Sequence, residues 1–398
     1  MEIKKNINCD VLVVGAGAAG CAAAITAAEN GCSTLLIDQA ATLGGTYSAA
    51  KLNTVCGIYL NNPDNKNPQI LSSRFIECWL SKVNEHDKSF MPCREGRLYT
   101  APCRSELMII ILSELIAEQS ARLTYLPHTT LNSVIHAANK ITEVSATLAR
   151  GQSLTIIPKT VIDCSGSGAA ITERQKPLEA TTAHDVDILA ALPFILTNCQ
   201  YSELLSLKTA YELSKLVKQH RCPHYWRFLV LRQGDNHNIN GWFNFPLPAF
   251  NSAIEAKSEI YSMVEFLGEH LSEFKSAQVS WCGDEICRRD APVIDGVNCL
   301  TATDIMMGKK QSDAMLCGSW PIELWAVRKG QQLIYPPIND CYNIPDGCLS
   351  SVTYANLFAA GKGISATHEA QAAIRVTGLA FATGERAAML ACKVIKNI

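Results

Sequence analysis

The stretch from Asp10 to Asp38 constrains the fold more than any other. Between Asp10 and Glu29 lie 18 residues without a charge, VLVVGAGAAGCAAAITAA, preceded by Lys4 and Lys5. Such a run can be read as a leader peptide, or as a membrane span at the short end of the required length. The three glycines at fixed spacing argue for something else. Cys9 to Val14 reads as a buried strand, and Gly15-Ala16-Gly17-Ala18-Ala19-Gly20 follows at once. Cys21 to Glu29 is small and helix-compatible, with Gly31 as its stop. A second apolar strand, Ser33 to Ile37, closes on Asp38, 18 residues after Gly20.

Strand, glycine-rich turn, helix, strand, acid is the order a dinucleotide needs. Gly15 permits the tight turn, Gly17 lets the backbone approach a pyrophosphate, and Gly20 lets helix and strand pack closely. The helix N-terminus, at Ala18 and Ala19, faces the anion. Asp38, with Gln39 beside it, is placed to accept hydrogen bonds from a ribose diol. The bland alternative is a packed Gly/Ala-rich helix with no ligand. A leader peptide would leave Asp38 and the second strand unexplained.

The turn alone does not separate FAD from NAD, but Gly44-Gly45-Thr46 follows Asp38 after five residues. Here the chain resembles the FAD-dependent oxidoreductases with the glutathione-reductase type of FAD-binding fold. In that family a Gly-Gly pair after the acid helps hold the dinucleotide and leads into the segment beside the flavin ring. Thr160 to Gly168, TVIDCSGSG, reads as a buried strand ending in a small-residue turn. It resembles the family's Ala-Thr-Gly type motif, which puts Ser165 and Gly166 at the cofactor. The segment 356–388, NLFAAGKGISATHEAQAAIRVTGLAFATGERAA, resembles the closing FAD-binding motif of one subfamily. The resemblance implies a turn at the cofactor from Gly361 through Lys362 and Gly363 to Ile364, then a helix capped by Ser365 or Thr367. Lys362 stands where many relatives carry an aspartate for the ribityl hydroxyls, so that contact falls to backbone or to another side chain. Gly283 to Arg289 and Gly318 to Glu323 are weaker landmarks of the same subfamily. There is no second GxGxxG, so an internal NAD(P)H domain is not expected.

The fold class that follows is α/β: a Rossmann-like FAD-binding domain of the glutathione-reductase type with an inserted α+β substrate domain. The expected boundaries are 1–175 and 335–398 for FAD and 176–334 for the insert. Within the insert, helices are expected over 201–219 and from a capping box at Ser252–Glu255, and strands over 227–232 and 242–247.

Composition narrows the partners. With 48% hydrophobic and 18% charged residues the chain is no disordered polymer, and a net charge of −2 offers no field for phosphate backbones. Nucleic acid is therefore not expected as a partner, and no other stretch is long and apolar enough to span a membrane; the resemblance implies a small-molecule substrate. The 17 cysteines are odd in number and none falls in a Cys-x-x-Cys spacing. Zinc and iron–sulfur sites are disfavoured, no metal is expected, and unpaired thiols fit a reducing cytoplasm.

The resemblance implies hydride transfer from a small organic substrate (an amine, an amino acid, or a C–C or C–O bond) to flavin N5, with reoxidation by dioxygen or an external acceptor. Candidate catalytic residues are His368, as base or hydrogen-bond donor, Arg375, an unusual charge among small residues, and Cys56, in the segment expected near the ring. Arg288 and Arg289, with Arg227 and Arg232, are weaker candidates for a substrate carboxylate. Two other classes stay open: a flavoprotein whose FAD is structural or non-redox within a larger complex, and a cofactor-free interaction module. The oligomeric state is also open, a homodimer included.

Overall fold

The computed structural model describes residues 5–62, 68–71, 73–171, 188–234, 238–247, 249–312 and 314–396. The first strand, Lys5–Val14, pairs in parallel with Thr34–Ile37 on one side and with Ser153–Asp163 on the other. Leu123–Leu126 extends the sheet beyond Thr34–Ile37, and Leu357–Ala359 joins the far side of Ser153–Asp163, both in parallel. Across the sheet the parallel order is 123–126, 34–37, 5–14, 153–163, 357–359, a Rossmann-like arrangement. Val11 to Val14 and Leu35 to Ile37 are buried, as strands covered on both faces must be.

Ser153–Asp163 serves two neighbours. Its first residues pair antiparallel with Lys140–Thr147, which forms a hairpin with Thr130–Ala137 around Asn139. Its last three pair with Leu357–Ala359. The strand runs through Pro158, in register with Cys9.

The uncharged run becomes strand, turn and the helix Ala18–Glu29, buried from Ala19 to Ala28. Its alanines share one core with the last helix, Thr377–Lys396, whose inward face carries Gly378, Ala382, Gly384, Ala387 and Ala388. No helix among the described residues is long and apolar enough to cross a membrane. The closing segment was expected as one helix but forms two, His368–Ile374 and Thr377–Lys396. The break has local causes. The Arg375 guanidinium reaches across to other segments, and the Gly378 amide donates to the carbonyl of Cys56 at 2.8 Å, turning the chain onto that strap.

A second, antiparallel sheet runs Val230–Gln233, Ile239–Pro246, Leu189–Thr197, Gln278–Cys282. Helices Glu203–Lys218 and Ala253–His270 cover it, and their shared core draws its residues from 190 to 282. Leu300, Ile305, Leu316 and Ile322 belong instead to the core of the first sheet. The expected boundary at 175/176 lies outside the described residues. Arg227, expected in a strand, lies in a 3₁₀ turn, His224–Phe228. Ser252 caps its helix by accepting from the Glu255 amide at 3.3 Å, but the Glu255 carboxylate accepts from Asn251, one residue before the cap, at 2.9 Å. The capping box is thus half formed.

Candidate cofactor site and its basic neighbourhood

Four of the segments singled out from sequence leave the sheet at the carboxyl ends of four adjacent parallel strands. Gly15 follows Val14, Asp38 follows Ile37, Cys164 follows Asp163, and Gly361 follows the strand Leu357–Ala359 after Ala360. In open α/β sheets this edge, at the switch in strand order, is where ligands bind.

Backbone hydrogen bonds hold these ends together. The Gly15 amide donates to Ile37 O at 2.8 Å, Cys164 N to Val14 O at 2.8 Å, and Ala360 N to Asp163 O at 3.0 Å. The Gly44 amide donates to Ala16 O at 2.9 Å, which lays Gly44 and Gly45 against Gly17. The Asp38 carboxylate accepts from the amides of Ala16 and Ala40 and so ties the glycine-rich turn to the second strand. Gln39 and Thr46 are exposed beside it.

Asp163 is a residue the sequence reading passed over as a ligand to its own turn. It is buried, yet its carboxylate accepts from the Ser165 amide and hydroxyl at 2.9 and 2.6 Å and from the amides of Ala170 and Ile171 at 2.8 and 3.2 Å. The Ser165 oxygen in turn accepts from Ala169 N at 3.0 Å. Ser165 therefore shapes the turn that carries Gly166. Two further buried polar residues set the closing turn. Thr383 accepts from the Gly361 amide at 2.9 Å, and the Gln371 amide group donates to Lys362 O at 2.8 Å and Ala291 O at 3.0 Å. The available signal was a polar side chain within an otherwise small, apolar helix face. Ile364 is fully buried.

The glycines separate into those the protein needs for itself and those it does not. A Cβ at Gly20 would lie 1.7 Å from Gly15 O, so that position is closed by packing. Gly17 and Gly363 differ from every other glycine in the chain. Neither has a positive φ, and a Cβ at either would meet nothing closer than 3.9 Å. Both sit in segments expected at a cofactor. Backbone left bare without an internal reason fits a ligand that must come close, so the residues present suit a dinucleotide.

Beside this edge lies a cluster of half-buried charge. The Arg375 guanidinium donates to Arg289 O at 3.0 Å and Glu323 O at 2.7 Å. Arg289 donates to Leu189 O at 2.5 Å and Asn244 Oδ1 at 2.6 Å, and its guanidinium lies 4.4 Å from the Trp325 ring centroid. The Lys362 stem passes so close to Gly166 that a Cβ there would meet it at 2.8 Å. Burial pushes Arg289 down to about 9, and the charge of Arg375 adds to the effect while Glu323 opposes it. Burial likewise lowers Arg375 and Lys362, against Glu323 and Asp290 for the former and Asp290 for the latter. A guanidinium is not given up as a proton source in proteins. The shifts therefore express chiefly the burial of three cations, which Glu323 and Asp290 offset in part.

Cys56 shares this neighbourhood: burial, then the charges of Glu323 and Glu95, push its thiol well above the ordinary range and keep it protonated. His368 opens the helix His368–Ile374, half-buried, with Thr367 capping by accepting from Ala370 N at 3.4 Å. It stands about 10 Å along the axis from Arg375. The four arginines proposed as a carboxylate set are not together. Arg232 pairs with Glu95 at 2.9 Å, Arg227 donates to Arg328 O at 3.2 Å, and Arg288 is exposed. Only Arg289 joins Arg375.

A parallel sheet with a glycine-rich turn, an acid and bare backbone at one edge defines a dinucleotide-binding protein of the Rossmann class. The family model of FAD-dependent oxidoreductases matches residues 10–397, and the chain belongs to that family. It is an FAD-dependent oxidoreductase, with FAD as its cofactor. No curated protein sequence matches the chain. Among solved structures, a geranylgeranyl bacteriochlorophyll reductase-like protein from Thermoplasma acidophilum is similar over 98% of this chain and 80% of its own, at 14% identity and a TM-score of 0.50. A flavoprotein/dehydrogenase from Cytophaga hutchinsonii is similar over 98% and 79%, at 12% identity and a TM-score of 0.50. At these identities the likeness speaks to the fold.

Proposed function

We propose that this protein oxidises a small organic molecule carrying a carboxylate, within an FAD-binding fold of the glutathione-reductase type. The observation that carries the substrate class is the grouping of three half-buried cations, Arg289 and Arg375 held together through the Arg289 carbonyl and Lys362 beside Gly166. A carboxylate beside them would offset the cost of burying these cations and orient the substrate through charge-assisted hydrogen bonds.

The residues that hold FAD in this reading are Gly15, Gly17, Ala18, Ala19 and Gly20 at the pyrophosphate, and Asp38 with Gln39 at a ribose. Gly44, Gly45 and Thr46 lie along the dinucleotide; Ser165 and Gly166, then Gly361, Gly363 and Ile364, complete the cradle. The chemistry that FAD supplies when bound is the acceptance of a hydride from carbon. His368 takes the proton that leaves the substrate heteroatom, and Arg375 anchors the substrate acid. Cys56, held protonated, lines the site. The inserted segment, centred on the second sheet, provides the substrate wall, and dioxygen or an external acceptor completes the cycle.

The test is anaerobic. Purified holoprotein is mixed with panels of amino acids, hydroxy acids, and neutral amines and alcohols, and bleaching near ~450 nm, a property of oxidised flavin, is followed. Bleaching by an acid and not by its amide or ester is expected. Arg289→Gln should raise KM for that acid about tenfold or more at unchanged flavin content, the loss of one charge-assisted bond. A neutral substrate bleaching equally well would remove the carboxylate from the reading.

A further inference from the structure

Two short strands bring two thiols and an ammonium together. Leu316–Gly318 pairs antiparallel with Tyr342–Ile344, with Cys317 opposite Asn343. Cys341, just before the second strand, is therefore a diagonal neighbour of Cys317. Both are half-buried. The Lys310 ammonium donates to Cys341 Sγ at 3.3 Å, to the Cys341 carbonyl, and to Asp340 Oδ1 at 2.6 Å. Lys310 is thereby fixed beside the sulfur. The Cys317 thiol also hydrogen-bonds the Cys341 sulfur.

We propose that Cys341 is a hydroperoxide-reactive thiolate and that Cys317 resolves it to a disulfide. The chemistry closes on itself. The Cys341 thiolate attacks the terminal oxygen of the hydroperoxide, the O–O bond breaks, and a sulfenic acid and hydroxide or alkoxide form; that anion takes a proton from solvent. The Cys317 sulfur then attacks the sulfenic sulfur, its own proton leaving with the hydroxyl as water. Two thiols are oxidised, one hydroperoxide is reduced, and the products are a disulfide, water and water or alcohol.

Electrostatics agree with the geometry. Hydrogen bonding from Cys317 and then from Lys310, with the lysine's charge, holds Cys341 below the ordinary thiol range, against burial and the charge of Asp340. The groups facing it are Cys317, Lys310, Asp340 and Tyr342. Eleven other thiols move the opposite way: Cys9, Cys21, Cys56, Cys78, Cys103, Cys164, Cys199, Cys222, Cys282, Cys287 and Cys392 are raised, chiefly by burial. Cys78, Cys93 and Cys299 are exposed and serve as internal references.

The experiment uses the reduced full-length holoprotein at pH 7, treated with hydrogen peroxide, quenched by alkylation and mapped by peptide mass spectrometry. The expected result is a Cys317–Cys341 cross-link that forms at least about tenfold faster than any of the three exposed thiols is oxidised, one pKa unit corresponding to a tenfold change in thiolate fraction near neutral pH. Cys317→Ser should leave sulfenic and sulfinic acid on Cys341. Lys310→Met should slow oxidation of Cys341 several-fold at pH 7, with the gap closing as pH rises above the thiol range, and Lys310→Arg should restore the rate. FAD content reports folding in each variant. Cys341 reacting no faster than Cys78, Cys93 and Cys299, or at a rate indifferent to Lys310, would overturn the proposal.

Discussion

Gly17 and Gly20 lie three residues apart in one turn and answer to different partners. At Gly20 a side chain would strike the Gly15 carbonyl, so Gly20→Ala should destabilise the apoprotein by about 1–3 kcal/mol, the usual cost of overpacking. At Gly17 a Cβ would meet nothing closer than the Gly45 Cα at 3.9 Å, an ordinary contact, with φ −70° and ψ −175°, which alanine adopts freely. Gly17→Ala should leave the apo melting curve within about 1 kcal/mol of the parent, the helix-cap penalty, yet release FAD on gel filtration. Thermal melts of stripped protein, paired with flavin content after purification, check both variants. A Gly17→Ala protein that retained FAD at parental affinity would sink the role given to the bare backbone. The fingerprint was legible because turn, approach and packing each demand glycine at a fixed spacing. Asp163 and Gln371 were not, because a buried polar residue that serves its own turn looks in sequence like any polar residue.

At the scale of elements, the helix Ala302–Met306 shows how a short segment is held beside the Lys310 corner. Thr301 and Asp304 form a full capping box, and Lys309 reaches the Asp304 carboxylate at 2.7 Å. Burial would raise Asp304, but Lys309 and Thr301 win and hold it below its usual 3.8. A depressed carboxylate contributes stability that is fully present above its unfolded value and is lost as pH falls through its folded one. Asp304→Asn should therefore cost about 1 kcal/mol at pH 7, as a lost cap does. The difference from the parent should shrink below about pH 4. Urea melts at pH 7 and in acid decide it; a gap that stayed constant would mean the carboxylate's charge is irrelevant there. Capping signals of this kind were partly readable. The half-formed box at Ser252 and the helix break at Arg375 were not, because each is set by contacts outside the segment, Asn251 in one case and Arg289, Glu323 and Cys56 in the other.

Over the whole molecule, the two ends of the chain build one unit. The strand Leu357–Ala359 completes the sheet begun by Lys5–Val14, and the last helix packs on the first. The segment between them carries a second sheet with a separate core, joined to the FAD unit partly through Arg289 and Arg375. The parallel sheet was legible from its two glycine-rich ends; of the second sheet only the strands near 227–232 and 242–247 were, because Leu189–Thr197 and Gln278–Cys282 carry no motif and the strand order depends on distant pairings. A ligand that binds only the folded state stabilises what it touches, by about 2.7 kcal/mol at a hundredfold excess over Kd. FAD should therefore slow hydrogen exchange in residues 11–20, 38–46, 160–168 and 357–364. Exchange in Leu189–Thr197 and Ile239–Pro246 should change little, because their cooperative unit is separate. Addition of the proposed carboxylate substrate should then protect 189–197 and 239–246, because Arg289 bridges those strands at Leu189 and Asn244 to the helix that carries Arg375. Exchange measured by mass spectrometry on apoprotein, holoprotein and substrate-bound holoprotein separates the cases. Equal protection of both sheets by FAD alone would show that the molecule opens as one unit and that the arginine bridge does not depend on substrate.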